Sequence, residues 1–327
     1  MAALPDIPPG SLIDLRSVSA TALNRLLEEE ATIWRRDFSW DFRPSAELVR
    51  KFVDLRALTG CAVMRGGQAV GYSYYVCEDG KGLIGDLFVS PSPHQTQDEN
   101  TLLAAILDAL WRTPGVDRVE TQLMMLRHPL SRSVPYTRWF SSHPRRFYEV
   151  DLKAFAQLPV PSRTLGRPMP SIVPWSEGRQ EEAAELIAHS YTGHVDSQIN
   201  DQYRSTAGAR RFLLNIIQYP GCGTFFAPAS FVAIDPYTQK ACGLCLTSLV
   251  SERTGHITQL CVAPENRGSG LGRHLLRASL LALAAHGAQR TSLTVTSQNH
   301  EAIGLYERMG FQNQRDFAAY VWQAPRL

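Results

Sequence analysis

The sequence has almost no net charge, few cysteines and no long hydrophobic run. Its 327 residues hold 33 Lys and Arg against 31 Asp and Glu, which gives a net charge of +2. This balance offers no argument for nucleic acid or an anionic membrane as a partner. The longest apolar helix candidate, residues 275–288, is interrupted by Arg277 and is too short to span a bilayer. Because the N-terminus also lacks a basic start followed by an apolar run, we expect a cytoplasmic protein.

The six cysteines are scattered, and only Cys242 and Cys245 have the spacing of a redox or metal pair. They lie within residues 240–250, a run typical of a strand, where residues three apart point to opposite faces. A metal site would also need a second pair of ligands, and none is suitably spaced. We therefore expect buried, reduced cysteines and no metal.

The chain contains an internal repeat. Residues 82–91 match residues 255–264 without a gap, at an offset of 173, and both matches continue into helical patterns. Two β-rich runs precede each match, and a helix and a strand follow it, which is the order of a mixed α/β unit. A repeat of this length indicates duplicated domains. We predict an α/β fold with a mixed sheet, built from two tandem domains.

The domain boundary is predicted from proline, because five prolines between residues 158 and 174 disfavour both helix and central strand. The predicted domains are residues 1–160 and 171–327, joined by a linker at 161–170. The predicted helices are 21–36, 46–58, 98–111, 179–190, 207–219 and 271–286; the predicted strands are 60–65, 69–77, 116–123, 230–235, 241–250 and 290–296.

A glycine-rich turn joins the second copy of the repeat to its helix. The turn holds Arg267, Gly268, Gly270 and Gly272, and residues 273–281 continue as a helix. Alternate glycines leave the backbone without Cβ atoms, so it can close around a ligand. The unpaired N–H groups of the first helical turn then point at that ligand, with the positive end of the helix dipole behind them. This arrangement suits a pyrophosphate, and Arg267 adds a side-chain donor.

Other phosphate-loop and hydrolase motifs do not fit this turn. The Gly-Lys-Ser/Thr of a Walker loop is missing, and the third glycine of a dinucleotide fingerprint would fall on Arg273. A nucleophile elbow around Ser269 would need glycines at the positions of Arg267 and Leu271. The remaining alternative is a glycine-rich turn that binds nothing.

The segment from strand to helix resembles the acetyl-CoA-binding motif of the GNAT superfamily of N-acetyltransferases, which is a strand, Arg-Gly-x-Gly-x-Gly and a helix. Residues 297–311 match the family's closing motif, in which Asn299 and Ala302 precede Leu305-Tyr306 and a Gly-Phe pair follows. The resemblance is specific over residues 254–322 and covers 170–322 in outline. It implies acetyl-CoA as co-substrate and direct acetyl transfer to the primary amine of a small molecule or peptide.

The resemblance also implies roles for individual residues. The backbone at 260–262 would bond the pantetheine arm and the acetyl carbonyl, the amides of 267–272 would hold the pyrophosphate, and Asn299 would touch the pantetheine. Tyr306 would protonate the departing CoA thiolate. The predicted cofactor-binding residues are Leu260, Cys261, Val262, Arg267, Gly268, Ser269, Gly270, Leu271, Gly272, Arg273, Asn299, Ala302 and Tyr306.

The spacing of the closing motif gives separate support for Tyr306. Ala302 lies four residues before it on a predicted helix, so the two share a face, and the small side chain leaves room for a cofactor beneath the phenol. A positioned hydroxyl can act as a general acid, although a core tyrosine is the alternative.

The base that accepts the amine proton is left open by the sequence. The strand before the glycine turn carries no acid, so the candidates are His256 at its start, Glu252, and His189, His194 and Asp196 in the helical region. We take His256 with Tyr306 as the catalytic candidates.

The first copy of the repeat has lost the features of a cofactor site. Residues 92–100 contain no glycine and no arginine, and they carry Pro93, Asp98 and Glu99. Side chains would fill the cradle and two carboxylates would repel a pyrophosphate. We predict a degenerate domain without bound acetyl-CoA. An alternative for the whole chain is a non-catalytic acyl-CoA-binding or regulatory protein, and the sequence does not decide between a monomer and a homodimer.

Overall fold

The structure is a computed structural model that describes residues 10–126, 135–159, 168–219 and 221–324. These residues form two compact units. One comprises the described residues of Met1–Ser142 and Phe317–Leu327, and the other is His143–Asp316. The first unit is formed mainly by the first part of the chain and the second unit by the rest. Two segments are exceptions, because residues 143–159 belong to the second unit and residues 317–324 to the first. Most of the predicted linker, residues 161–167, lies outside the described residues.

The first unit has its strands in the order β1-β2-β3-β4-β5, followed by residues 319–323 beside β5. Leucine and isoleucine side chains of its third helix, such as Leu102, Ile106 and Leu110, are buried against this sheet, at the spacing of one helix face. Its elements are β1 (Ser11–Asp14), α1 (Ala20–Phe38), α2 (Arg43–Asp54), β2 (Gly60–Arg65), β3 (Gln68–Glu78), β4 (Lys81–Val89), α3 (Gln95–Arg112) and β5 (Arg118–Gln122).

The second unit has the strand order β7-β9-β10-β11-β12-β6, with β8 beside β10. Strands β11 and β12 are parallel, and their neighbours are antiparallel. The remaining elements are β6 (Phe140–Asp151), α4 (Leu152–Ala156), β7 (Ser171–Pro174), α5 (Gln180–Ser190), α6 (Asp196–Ile199), α7 (Thr206–Gln218), β8 (Thr224–Phe225), β9 (Phe231–Ile234), β10 (Ala241–Ser251), β11 (Thr254–Val262), α8 (Leu271–Ala285), β12 (Arg290–Thr296), α9 (His300–Arg308) and β13 (Gln312–Gln323).

The internal repeat appears as a repeat of strand geometry. The bounds of β4 and β11 differ by the 173 residues of the sequence match. Each strand also carries one unpaired extra residue against its antiparallel neighbour, Gly85 in β4 and Thr258 in β11, again 173 apart. Such a bulge bends a strand and increases its twist. The prediction of a mixed α/β fold is therefore confirmed.

The described helices contain none with both the length and the apolar character needed to cross a bilayer. Helix α8 is the most apolar around the second sheet, and its buried side chains Leu271, Leu275, Leu276, Leu280 and Leu283 recur at helical spacing. They belong to the core of the second unit. This packing fixes the start of α8 at the carboxyl end of β11.

Candidate functional site

The site begins where the parallel strands β11 and β12 separate. They pair only from Thr254 with Arg290 to Ile257 with Leu293, although both strands continue beyond these residues. The bulge at Thr258 lies at the point of separation. Past that point, the edge of β11 that faces β12 pairs with no strand in the described part of the chain, so its backbone groups are available to a ligand.

Alternation along β11 shows which amides face the gap. The N–H of Ala263 donates to the carbonyl of Cys242 on β10 at 2.9 Å. Successive amides on a strand point in opposite directions, so the N–H groups of Leu260 and Val262 face away from β10. The carbonyl of Val262 accepts from the Arg267 side chain instead, consistent with this orientation. Of the three backbone positions predicted to bind the cofactor, Cys261 points its amide toward β10.

The glycine turn after β11 adopts a conformation that glycine favours. Gly268 and Gly270 have φ values of +73° and +83°, a left-handed conformation that residues with a Cβ rarely adopt. Gly270 is the N-cap of α8, and no side chain of the described residues caps that helix. The first-turn amides are therefore unpaired donors at the positive end of the helix dipole.

A cleft of about 840 Å³ lies against this turn. Every predicted cofactor-binding residue except Ser269 lines it, and Ser269 instead lines a neighbouring groove. The cleft is completed by residues that the sequence did not single out, namely Ser190, Tyr191, Asn266, His300, Glu301, Gly304 and Arg308, together with His194 and with Leu305 of the closing motif. Residues from β11, the glycine turn and α9, which are up to 48 positions apart in sequence, therefore meet at one cleft.

The Arg267 side chain is held by backbone carbonyls. Its Nε donates to Val262 at 3.2 Å and its Nη2 donates to Ser190 at 2.6 Å. These bonds tie the glycine turn to the end of β11 and the end of α5. Arg267 thus orders the turn, and its predicted contact with the pyrophosphate stays a prediction.

A second arginine in the cleft has donor capacity left over. The Nε of Arg273, in the first turns of α8, is buried and has no hydrogen-bond partner among the described residues. Arg308 and His300 also line the cleft. Together with the helix amides, these side chains make the cleft suited to an anionic ligand.

A smaller cavity of about 100 Å³ lies in the gap between the strands. Tyr306, Asn299 and Ala302 line both the cleft and this cavity. The other lining residues are Arg145, Tyr191, Asp196, Tyr203, Ile257, Thr258, Gln259, Leu260, Leu293, Thr294 and Val295. A group bound in the cleft and a group bound in the cavity would therefore meet beside Tyr306.

Tyr306 is 8% exposed, and no residue described in the structure bonds to its hydroxyl. Burial raises the pKa of this phenol well above its usual value, and the nearby Cys245 and Asp196 raise it further. The phenol is therefore protonated at neutral pH and keeps its proton available for a leaving group.

Asn299 is engaged within the protein. Its Oδ1 accepts from the N–H of Ala302 at 3.2 Å and so caps α9, while its Nδ2 lies 3.3 Å from Nε2 of His194. Asn299 lines the cleft, and its contact with pantetheine stays a prediction.

Three of the five base candidates do not line the cleft or the cavity. His256 is buried on β11, where its Nδ1 lies 2.9 Å from Oγ of Ser292, and burial lowers its pKa to about 4. Glu252 is exposed in the β10–β11 turn, at the opposite end of β11 from the glycine turn. His189 is exposed, bonds Glu265 at 3.0 Å and faces the neighbouring groove.

His194 and Asp196 do reach the site. His194 lines the cleft, and its Nδ1 accepts from the N–H of Asp196 at 3.1 Å. Asp196 lines the cavity, and its Oδ1 accepts from the Oγ1 hydroxyl of Thr296 on β12. Among the described residues that line the cavity, Asp196 carries the one carboxylate. The carboxylate of Asp196 is thus the candidate proton acceptor for a group bound in the cavity.

The cavity wall on the helical side is aromatic. Tyr191 and Tyr203 stack with ring centroids 4.3 Å apart, and Gln259 bonds both hydroxyls. Burial raises the pKa of both phenols, so they stay neutral. Sequence reasoning missed them, because their only local signal is two tyrosines in a helical region.

In the first unit, the turn after β4 is filled by its own side chains. Asp98 in the first turn of α3 and the adjacent Glu99 are both buried. Both carboxylate oxygens of Asp98 accept from Arg65, at 2.9 and 3.0 Å. This is the arrangement expected of a degenerate copy, because a pyrophosphate would have to displace a paired carboxylate.

No cluster of His, Cys, Asp or Glu suited to a metal ion occurs within the described part of the chain. Cys242 and Cys245 are both buried on β10. Burial raises the pKa of the Cys245 thiol to about 12.

Residues 195–311 match the acetyltransferase (GNAT) family. Among curated proteins, mycothiol acetyltransferase of Acidimicrobium ferrooxidans is 33% identical over 106 residues, which cover 31% of this chain and 34% of that protein. N-alpha-acetyltransferase 30 of Schizosaccharomyces pombe is 34% identical over 84 residues, which cover 25% of this chain and 56% of that protein. The chain therefore covers less than two thirds of the length of either relative.

Two solved structures resemble almost the whole chain. A GCN5-related N-acetyltransferase from Sphaerobacter thermophilus has a TM-score of 0.64 and 16% identity, covering 99% of this chain and 98% of that one. A tandem GNAT protein from the clavulanic acid biosynthesis pathway has a TM-score of 0.62 and 17% identity, covering 97% and 99%. At these identities the likeness is one of fold.

Proposed function

Residues 195–311 make this chain a member of the GNAT acetyltransferase family, and on that premise we propose that it transfers an acetyl group from acetyl-CoA to a primary amine. The observation that supports the proposal most is the uncapped start of α8 behind Gly268 and Gly270, which opens onto the cleft. The buried, unpartnered Nε of Arg273 beside it also fits an anionic cofactor. The second unit would carry the activity, and the first would not bind the cofactor.

Different residues of the cleft would bind different parts of acetyl-CoA. The amides from Gly268 to Gly272 and the side chain of Arg273 would hold the pyrophosphate. The amides of Leu260 and Val262 would bond the pantetheine arm and the acyl oxygen along the open edge of β11. When bound, the cofactor supplies an activated thioester.

Two proton-transfer roles follow from the geometry. Tyr306 would donate its phenol proton to the leaving sulfur, since it stays protonated and stands between cleft and cavity. Asp196 would accept the proton of the amine, at the oxygen that does not bond Thr296. We prefer Asp196 to His256 as the base, because His256 does not line the cavity.

Direct transfer is supported by the state of the cysteine in the cleft. Burial raises the pKa of the Cys261 thiol to about 12. A thiol that holds its proton so strongly is a poor nucleophile at neutral pH. An acyl-cysteine intermediate at this position is therefore disfavoured.

The proposal is tested by following free thiol released from acetyl-CoA in the presence of a panel of primary amines. We expect thiol release that depends on the amine. For Tyr306→Phe, we expect the kcat of this release to be lower by about 100-fold or more. Tyr219→Phe is the matched control, because Tyr219 is 63% exposed and lines neither cavity. Binding of CoA without thiol release for any amine would instead favour a non-catalytic acyl-CoA-binding protein.

A further inference from the structure

The small cavity between β11 and β12 contains one positive and one negative side chain among its described lining residues. Asp196 reaches it from α6, and Arg145 reaches it from β6. Arg145 stands opposite Thr296 in the register of β6 with β12, so strand pairing brings it to the gap. No sequence motif predicts this, because Arg145 lies far upstream of the glycine turn.

The guanidinium of Arg145 has only one neutral partner. Its Nη2 donates to Oγ1 of Thr294 at 3.1 Å, while its Nε is buried and unbonded within the described structure. No carboxylate of the described residues lies within 4.0 Å of it. A partly buried cation loses hydration, and no opposite charge among the described residues compensates for that loss at Arg145.

Planar guanidinium donors match a carboxylate in geometry and charge. Asp196, by contrast, attracts a protonated amine and is the proposed acceptor of its proton. The cavity therefore presents complementary charges to the two ends of a short zwitterion.

We infer that the acceptor is a small amine with a carboxylate on the neighbouring carbon, that is, the head group of an α-amino acid. Arg145 binds the carboxylate, and Asp196 faces the ammonium. A volume of about 100 Å³ corresponds to roughly three water molecules at ~30 Å³ each, which suits an ammonium, one carbon and a carboxylate. This inference rests on the proposed function and deepens it.

The test compares glycine with glycinamide as acceptors in the thiol-release assay. The two differ in the carboxylate, and the amide has the less basic amine, so unspecific chemistry favours the amide. We expect kcat/KM to be about 10- to 100-fold higher for glycine, in line with a charge-assisted hydrogen bond. Calorimetric titration of both compounds into the CoA-saturated protein gives the same comparison without turnover.

Arg145→Gln should lower kcat/KM for glycine by about the same factor, mainly through KM, so that the glycine-to-glycinamide ratio approaches one. Arg145→Lys, which keeps the charge but loses the planar donors, should give an intermediate ratio. Arg146→Gln is the matched control, because the adjacent Arg146 contacts Tyr148 and Asp316 and does not line the cavity. It should keep the ratio of the unmodified protein.

Equal use of the two acceptors by the unmodified protein would overturn the inference and leave the acetyltransferase proposal standing. The inference would also be overturned if Arg145→Gln lowered kcat/KM equally for both acceptors while it bound CoA normally. Failure of every amine to release thiol would refute the proposed function instead, and the calorimetric preference would then decide whether Arg145 binds a carboxylate.

Discussion

Replacement of Gly270 by alanine tests the cofactor site directly. Gly270 is the N-cap of α8 with φ of +83°, and a Cβ there would meet only the His274 ring edge at 4.0 Å. The substitution therefore creates no clash within the protein. Its effects come from backbone strain and from a methyl group at the mouth of the cleft.

Gly287 offers a matched control on the same helix. It follows the C-terminal end of α8 with φ of +92°, and a Cβ there would have no neighbour within 4 Å. A residue with a Cβ in this conformation costs about 1–2 kcal/mol at either position. Both variants should therefore lose a few degrees of thermal stability, by similar amounts.

Only Gly270→Ala should weaken CoA binding. If the turn relaxes away from positive φ, at least one amide no longer points at the pyrophosphate. A hydrogen bond to a charged group contributes about 1.5–3 kcal/mol, so we expect about 10- to 100-fold weaker binding. Isothermal titration with CoA should show this loss for Gly270→Ala and near-unchanged affinity for Gly287→Ala.

The same titration counts the sites. We expect one CoA per chain, because Asp98 and Glu99 fill the corresponding turn of the first unit. Equal affinities for the two glycine variants would refute the role assigned to the α8 amides. A stoichiometry of two would refute the degeneracy of the first unit.

Three further predictions concern substitutions of Asp196, His256 and Asp98. Asp196→Asn should lower kcat about 100-fold if Asp196 is the base, whereas His189→Gln, on an exposed residue of the neighbouring groove, should have little effect in the same assay. His256 stays neutral in the folded state because burial lowers its pKa to about 4, but the unfolded chain protonates it below about pH 6.5. The contribution of neutral His256 to the free energy of unfolding is therefore complete above pH 6.5 and is lost as the pH falls toward 4. In urea unfolding, the fall in the free energy of unfolding on acidification to pH 4.5 should be about 2 kcal/mol smaller for His256→Gln than for the unmodified protein. An equal fall in the two proteins would contradict this. Asp98→Asn leaves Arg65 unpaired at 20% side-chain exposure and should lower the free energy of unfolding by about 2 kcal/mol, whereas an unchanged urea midpoint would show that the ion pair is not stabilising.

Much of the fold follows from local pattern. The predicted strands at 60–65 and 290–296 have the observed bounds, and the predicted helix 271–286 exceeds α8 by one residue. Glycines mark the ends of 60–65 and of α8, namely Gly60, Gly66, Gly270 and Gly287, and periodicity identifies the interiors. The short helices α4 and α6 were not predicted, because four or five residues are too few to show a helical period.

The candidate site also contains residues that local sequence pattern identifies and residues that it does not. The glycine turn and the closing motif are continuous in sequence, so their residues could be named in advance. The base could not, because the direction of a side chain such as His256 depends on strand register and burial. Arg145 reaches the cavity only through the pairing of β6 with β12, which is a contact between distant segments.

The two copies of the repeat share their strand geometry but differ in the turn that forms the candidate anion site. Both keep a bulge at corresponding positions, Gly85 and Thr258, and in both the parallel pairing of the bulged strand ends before the bulge. A bulge depends on backbone geometry, so it survives wide changes in side chains. The anion site depends on a few residues of one turn, and in the first copy Asp98 has replaced that function with an internal ion pair to Arg65. On the proposed function, the separated strands would position a cofactor only where the turn after them leaves its amides free. We therefore place the proposed chemistry in the second copy, although the first retains the same strand geometry.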